Sequence, residues 1–306
     1  MQVDHVLILA AGKGTRMGNI GTILPKVIWP IFEKTILELE VLYAKEMAPK
    51  ASIHINLYNN YEIIKEFIES KESSFDGVNL IIEKEPLDIG GAIHNLAKSL
   101  NYHGNLLVIN SDQFLMFKEN IVEKSISHLH DNDIVLYTYE VNQRDGYSFL
   151  NIENQYLKGI IKNEEVREGT FAQTYTGMSI INLDKLDKYP GKSSFFESIA
   201  KPNKTKIEFV EFRDFEYWDF GTLKRYHQSM YEVLKEKNSL FYKFLLNNKG
   251  IIEENNYESG YKSKDFINLD DARITSQKKS IVLDASEMIE SNKVGIFYRN
   301  KFDEIN

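Results

Sequence analysis

The feature that most limits how this chain can fold is the alternation of two hydrophobic periods in its first third. Val6-Leu7-Ile8-Leu9-Ala10 is a continuous apolar run that stops at Gly12-Lys13-Gly14, the pattern of a short strand buried on both faces. Thr35 is placed to cap a helix that carries Ile36, Leu39 and Tyr43 on one face. Ser52 to Leu57 alternates strictly and predicts a strand with one polar face. Ile63, Ile64, Phe67 and Ile68 form a helical stripe, and Val78 to Ile82 is a second apolar run. Ile93, Leu96, Ala97 and Leu100 fall at helical spacing, and Leu106-Leu107-Val108-Ile109 runs straight into Asn110-Ser111-Asp112. Strand and helix in turn call for an α/β domain with a doubly wound, mostly parallel sheet. In such sheets ligands bind beyond the carboxyl ends of the strands, where both Gly12-Lys13-Gly14 and Asp112 fall.

From about residue 133 the texture changes. Ile134–Val141, Tyr147–Ile152, Tyr156–Ile161, Tyr175–Ile181 and Lys206–Phe212 read as strands with few helices between them. A long helix is expected after Gly221, capped by Thr222, with Leu223, Tyr226, Met230, Val233 and Leu234 on its apolar face and an end near Asn248. A boundary near Gly250 then divides the chain into a unit of residues 1–249 and a small β-rich region of residues 250–306. In the latter, Leu269–Ile274 is loosely echoed by Leu283–Met288, and Ile274, Ile281, Met288 and Val294 recur every six or seven residues.

Composition excludes several classes of function. The chain has 306 residues and a formal net charge of −8, so it is a poor general polyanion binder and nucleic acid is not an expected partner. It has no cysteine, which removes disulfides, thiolate metal sites and cysteine nucleophiles. The first apolar run is far shorter than a membrane span and lacks a basic leader, so the expected location is cytoplasmic, without membrane association. The seven histidines show no metal-ligand spacing.

The strongest local signal is Leu9-Ala10-Ala11-Gly12-Lys13-Gly14-Thr15-Arg16-Met17-Gly18, followed by Leu24-Pro25-Lys26. A glycine-rich turn after a buried strand lets backbone N–H groups approach a phosphate, and Arg16 and Lys26 can add positive charge. Neither the P-loop pattern nor the dinucleotide-binding pattern of three glycines is met. Gly12–Met17 with Pro25-Lys26 resembles the signature of the sugar-1-phosphate nucleotidyltransferases. Three further matches come in family order: Glu85–Ile93 resembles the loop that holds the nucleobase, Asn110-Ser111-Asp112 the first metal-binding Asp, and Trp218-Asp219-Phe220-Gly221-Thr222 the second metal site. Together they cover roughly residues 3–235.

The resemblance implies a Rossmann-like fold and a definite chemistry. A sugar 1-phosphate oxygen attacks the α-phosphorus of a nucleoside triphosphate, and pyrophosphate leaves. Arg16, Lys26, Asp112 and Asp219 become the expected catalytic residues, with Mg²⁺ held by Asp112 and Asp219. Leu9, Ala11, Gly12, Gly14, Thr15, Arg16, Glu83, Asp88 and Gly90 are expected around the nucleotide. Lys162, Glu164, Thr176 and Gly177 are expected around the sugar phosphate. Two departures stand out. Asp88-Ile89 replaces a Gly-Thr of the base loop, and Lys162 stands shifted from the usual sugar-phosphate lysine. Glu83 offers two acceptors that suit the N1–H and N2–H₂ donors of guanine, and the Pro-Leu-x-x-Gly-Gly-Ala-Ile loop looks most like guanylyltransferases for mannose or manno-heptose 1-phosphate. Uridylyltransferases for N-acetylmuramate 1-phosphate, and a non-catalytic binder of nucleotide-sugar, are the alternatives. Related two-domain members carry a left-handed β-helix of hexapeptide repeats after the catalytic part. Residues 250–306 are expected to form a truncated version that packs on the helix after Thr222 and completes a homo-oligomer, most simply a dimer.

Overall fold

A computed structural model describes residues 1–154, 156–252, 266–269, 280–284 and 293–305. The chain opens with β1 (His5–Leu9), a two-residue hairpin of β2 (Pro30–Ile31) and β3 (Lys34–Thr35), and α1 (Ile36–Met47). It continues through β4 (Ser52–Leu57), α2 (Tyr61–Ser70), β5 (Val78–Ile82), α3 (Asp88–Ser99), β6 (Asn105–Asn110), β7 (Gln113–Met116) and α4 (Ile121–Ser125). The β-rich middle contains β8 (Ile134–Asn142), β9 (Phe149–Glu153), β10 (Tyr156–Ile161) and β11 (Phe171–Asn182). After α5 (Phe195–Ser198) come β12 (Ile207–Phe212), β13 (Glu216–Asp219), α6 (Leu223–Lys235) and α7 (Leu240–Asn247). The C-terminal strands are β14 (Phe266–Asn268), β15 (Ser280–Asp284), β16 (Gly295–Tyr298) and β17 (Lys301–Glu304).

Seven strands form the central sheet in the order β12-β8-β11-β6-β1-β4-β5. β11 runs antiparallel to both its neighbours, and the other pairings are parallel. Alternate residues of β1 feed opposite cores: Val6 and Ile8 join a cluster with Leu37, Ile64 and Tyr226, while Leu7 joins one with Ile93, Leu96 and Phe195. Helices therefore cover both faces, as the alternating sequence requires. From β1 the chain moves outward to β4 and β5, then returns to place β6 on the other side of β1. That reversal is the topological switch point, and it opens a crevice at the carboxyl ends of β1 and β6.

Two local expectations are corrected. The alternation in β4 does not mark a solvated face, because β4 lies between β1 and β5, and its polar residues His54 and Asn56 are buried. Each is satisfied inside the protein, His54 by the ring of His5 at 3.4 Å and Asn56 by a bond to each side. The long helix after Thr222 is also interrupted. α6 ends at Lys235 and α7 restarts at Leu240, with the Ser239 hydroxyl accepting from the Tyr242 N–H. The Glu216 carboxylate accepts from the Leu240 and Phe241 N–H groups at 2.7 and 3.1 Å, so an anion from β13 caps the new helix.

In the C-terminal region β14, β15 and β16 stack in parallel, and β17 turns back antiparallel on β16. Ile267, Ile281 and Ile296 are fully buried and belong to the larger cluster of the main sheet. Tyr231 on α6 donates to the Ser280 carbonyl at 2.7 Å. Most of the Leu269–Ile274 and Leu283–Met288 echo lies outside the described residues. No helix among the described residues is long and apolar enough to cross a membrane.

Candidate active site

Parallel pairing sets Leu9 opposite Asn110, so the loops that follow β1 and β6 leave the sheet side by side. After β1 the chain passes through Ala11 and the exposed Gly12 and enters a 3₁₀ turn at Thr15–Met17 through Gly14, whose φ is +67°. Thr15 and Arg16 are exposed, while Met17 anchors the turn in the core. The loop is held from below. The Ala10 N–H donates to Asn56 Oδ1 at 2.8 Å, and Asn56 Nδ2 donates to Glu83 Oε1 at 2.7 Å. Glu83 Oε2 accepts from the Leu87 N–H at 3.2 Å, so one chain of bonds ties the start of the glycine turn to the Glu85–Ile93 loop. Burial pushes the Glu83 carboxyl upward against the pull of these two bonds. Glu83 is 5% exposed, and both its oxygens already have a protein partner.

Asp112 follows β6 directly, and its partner across the site arrives through a two-stranded ribbon. β7 and β13 pair antiparallel with Gln113 opposite Asp219, and the Phe220 N–H donates to the Asp112 carbonyl at 2.8 Å. Two carboxylates far apart in sequence thus meet beside Gly221. A Cβ on that glycine would stand 2.7 Å from Asp112 Oδ2 and 2.9 Å from Asp219 Oδ1. Both aspartates are buried, at 7% and 8% exposure. Each has its own cation. Lys26 Nζ lies on Asp112 Oδ2, and Arg225 Nη1 lies 2.6 Å from Asp219 Oδ2. The Gly221 N–H donates to Asp219 Oδ1 at 2.7 Å, and Tyr217 donates its hydroxyl to Oδ2 at 3.3 Å. The Arg225 guanidinium also stacks over the Tyr147 ring, 5.1 Å from its centroid. Lys26 is fixed by its own neighbourhood. The buried Trp29 donates to the Leu24 carbonyl at 3.0 Å and packs edge-on against Tyr226 of α6, whose hydroxyl bonds the Pro30 carbonyl. The segment that carries Lys26 is thus packed against α6.

A third carboxyl lies behind these two. Glu40 on α1 is completely buried, with neither oxygen in a close, well-aligned hydrogen bond. Burial drives its carboxyl well above the usual carboxylate range, and the charge of Asp112 adds to the shift, which the Gln113 backbone and then Lys26 oppose. Sequence reasoning missed both Arg225 and Glu40. The spacing held a signal for Glu40, which stands four residues from Ile36 and from Ala44 on the buried face of α1.

The remaining expected residues divide. Asp88 adopts φ +61°, the left-handed conformation that glycine takes most readily, and its Oδ1 accepts from the Ile89 N–H at 2.7 Å. Aspartate is among the few side chains that tolerate this region. Gly90 is buried against the Ser193–Ser198 segment; a Cβ would approach the Ser193 carbonyl to 2.9 Å, so close packing explains the glycine. Thr176 and Gly177 form an irregularity in β11, where the register shifts between Tyr175 and Ser179. The Thr176 hydroxyl is used internally, donating to the Tyr137 carbonyl and accepting from the Met178 N–H. Gly177, at φ +89°, lies against the Asn110 side chain and so beside the Asp112 loop. Lys162 and Glu164 are exposed just beyond β10.

For a divalent cation the donor chemistry fits. Two buried carboxylates converge beside a residue whose missing Cβ leaves them room. Hard oxygen donors suit Mg²⁺, which usually takes one or two carboxylates and completes its shell with water and substrate phosphates. Among the described residues no third His, Cys, Asp or Glu completes a protein-only cage.

The family described as "Nucleotidyl transferase" matches residues 5–236. The D-glycero-alpha-D-manno-heptose 1-phosphate guanylyltransferase of Campylobacter jejuni is 30% identical over 207 residues, covering 67% of this chain and 88% of that protein. The bifunctional protein GlmU of Buchnera aphidicola is 34% identical over 187 residues, and the chain spans only 38% of that relative's length. Among solved structures, HddC from Yersinia pseudotuberculosis complexed with GMP-PN aligns at a TM-score of 0.60 and 26% identity, covering 75% of this chain and 99% of that one. With its switch-point crevice, its ordered motifs and these relatives, the chain belongs to the sugar-1-phosphate nucleotidyltransferase family.

Proposed function

We propose that the protein condenses a nucleoside triphosphate, GTP in preference to UTP, with a mannose- or heptose-type sugar 1-phosphate, releasing pyrophosphate and a nucleotide-sugar. The observation that carries this reading is the meeting of Asp112 and Asp219 at the switch-point crevice, each beside a cation, Lys26 and Arg225. Both reactants are anions, so the protein's tasks are to offset charge and to align attacker, phosphorus and leaving group. The new bond joins the sugar-phosphate oxygen to the α-phosphorus as the bond to the β-phosphate oxygen breaks. The attacking oxygen is already ionised near neutral pH, and no general base is required.

In this reading the exposed Arg16 and the N–H groups of the 11–15 turn hold the β- and γ-phosphates and stabilise the departing pyrophosphate. Lys26 reaches the α-phosphate from its place on Asp112. Arg225, stacked on Tyr147, meets the sugar phosphate, a task that sequence alone assigned to Lys162. Glu83 acts beneath the base loop, through Asn56 and Leu87, and sets the loop's distance from the glycine turn. Asp112 and Asp219 would hold a divalent cation, Mg²⁺ in this proposal, whose chemistry when bound is to neutralise phosphate oxygens. The manno-heptose guanylyltransferase relative and the GMP-PN complex of the structural neighbour support guanine and the manno configuration.

The test is Mg²⁺-dependent pyrophosphate release from GTP or UTP with mannose 1-phosphate, D-glycero-α-D-manno-heptose 1-phosphate or N-acetylmuramate 1-phosphate. GTP with a manno-type sugar is the expected pair. A preference for UTP overturns the base assignment, and release from no pair overturns the catalytic reading in favour of a nucleotide-sugar binder.

A further inference from the structure

The last strand of the chain sends a buried carboxylate into the glycine-rich loop. Asp303 lies on β17 opposite Ile296 of β16 and is 6% exposed. Its Oδ2 accepts from the Ile20 N–H at 2.8 Å, and its Oδ1 accepts from Asn19 Nδ2 at 2.9 Å. Both donors lie just after the Thr15–Met17 turn that presents Arg16. The loop is shaped for this guest. Gly18 has φ +65°, and a Cβ there would stand 2.5 Å from Asp303 Oδ2 and 2.8 Å from its Cγ. A side chain at Gly18 would thus be strained by its backbone and would also evict the carboxylate. The same small sheet also bonds α6, the helix that carries Arg225, through the Tyr231 hydroxyl, which donates to the Ser280 carbonyl.

We propose that Asp303 is a positioning residue for the triphosphate. It touches no substrate, and it holds residues 18–20 so that the turn bearing Arg16 keeps the shape that meets the β- and γ-phosphates. This rests on the function proposed above. The C-terminal sheet is then part of the nucleotide site.

The experiment compares the full-length wild type with Asp303→Ala, Asp303→Asn and Asn19→Ala. It measures kcat, the KM of GTP and UTP, the KM of the sugar 1-phosphate, and calorimetric binding of inorganic tripolyphosphate, a probe without a base. Asp303→Ala is expected to raise the triphosphate KM about tenfold or more, since misplacement of a binding group by an ångström carries costs of that order. The sugar-phosphate KM should stay within about twofold, because the perturbed loop meets only the triphosphate in this scheme. Asn19→Ala removes one of the two bonds and should give a smaller rise in the same constant. Asp303→Asn keeps an acceptor for the Ile20 N–H and should recover most of the wild-type KM. A purely structural role would lower the active fraction, and with it kcat, while leaving both KM values alone; that result overturns the proposal. If Asp303→Ala does not fold, unchanged KM and tripolyphosphate affinity in Asn19→Ala overturn it equally. Should the wild type release no pyrophosphate from any pair, the proposed reaction fails, and weaker tripolyphosphate binding by Asp303→Ala than by the wild type and Asp303→Asn still decides the role of the tail.

Discussion

At the scale of single residues, the site sets three buried carboxyls against two cations. Asp112 and Asp219 have Lys26 and Arg225, whereas Glu40 forms no ion pair among the described residues and has only the Gln113 backbone to support its charge. Asp112→Asn and Asp219→Asn keep the shape of each side chain and remove its charge. Each is expected to cut turnover by about 10²–10³, the usual cost of losing a positioned electrostatic group. Near-normal turnover in either variant, measured by pyrophosphate release with Mg²⁺, would remove that aspartate from the catalytic set. Glu40 gives a prediction about stability. Its folded carboxyl titrates well above that of an unfolded chain, so the fold holds a proton that the unfolded chain releases once pH rises past about 4.5. The contribution of Glu40 is therefore most favourable in acid and is lost as pH rises through the raised value. Glu40→Gln removes this dependence. Melting curves should show the variant gaining on the wild type between pH 5 and 8 and losing the advantage near pH 4. The convergence of Asp112 and Asp219 was legible in the sequence because each sits in a short motif that resembles a metal site of the family. Arg225 was not, because its meaning depends on a helix turn that brings it back onto Asp219.

At the scale of elements, the alternation of periods announced the parallel sheet, and the glycine turn and Asp112 fell at strand ends as the fold class requires. The sequence could not announce the β7–β13 ribbon. Those strands are short and distant in the chain, and only their register brings Asp219 opposite Gln113. The break between α6 and α7 did leave a trace, because Lys235 to Ser239 carries no apolar residue and Ser239 is a capping type, but the second cap, the carboxylate of Glu216, comes from another element. The polar residues of β4 teach the same lesson. Asn56 and His54 alternate like a solvated face and are instead buried contacts. His54 faces His5, and burial, with that neighbour, lowers its pKa from 6.5 to about 4. The folded state refuses a proton that the unfolded chain accepts below about 6.5, so stability present at neutral pH is lost as pH falls from 6.5 toward 4. A shift of this size corresponds to at most about 3 kcal/mol. His54→Gln should flatten the melting temperature between pH 6.5 and 4.5, and parallel curves for the two proteins would show that the pair does not control acid stability.

At the scale of the whole molecule, the region after Gly250 is a boundary in sequence and shares a core with what precedes it. Ile274 and Met288, two of the four residues whose recurrence suggested a short β-helix, lie outside the described residues, while the described strands β14 to β16 pair in parallel. The sequence could not foresee where the apolar side of that stack would go. Ile267, Ile281 and Ile296 are buried within the cluster of the main sheet, and Asp303 reaches the loop that follows β1. Cutting the chain after Ile252 would expose this apolar surface, leave the Ile20 N–H without its acceptor, and free Tyr231 from Ser280. Burial of one large aliphatic side chain is worth about 1.5–3 kcal/mol, and three are lost together, a large share of the 5–15 kcal/mol that holds a typical domain. The truncated chain is therefore expected to melt at least about 10 °C lower, and any folded fraction should bind triphosphate more weakly than the full-length protein. Calorimetric melting with tripolyphosphate titration checks both parts, and light scattering on the two chains reports whether the tail also joins copies into a dimer. A truncated protein with wild-type melting and wild-type tripolyphosphate affinity would show that the main sheet and its glycine-rich loop stand without the brace.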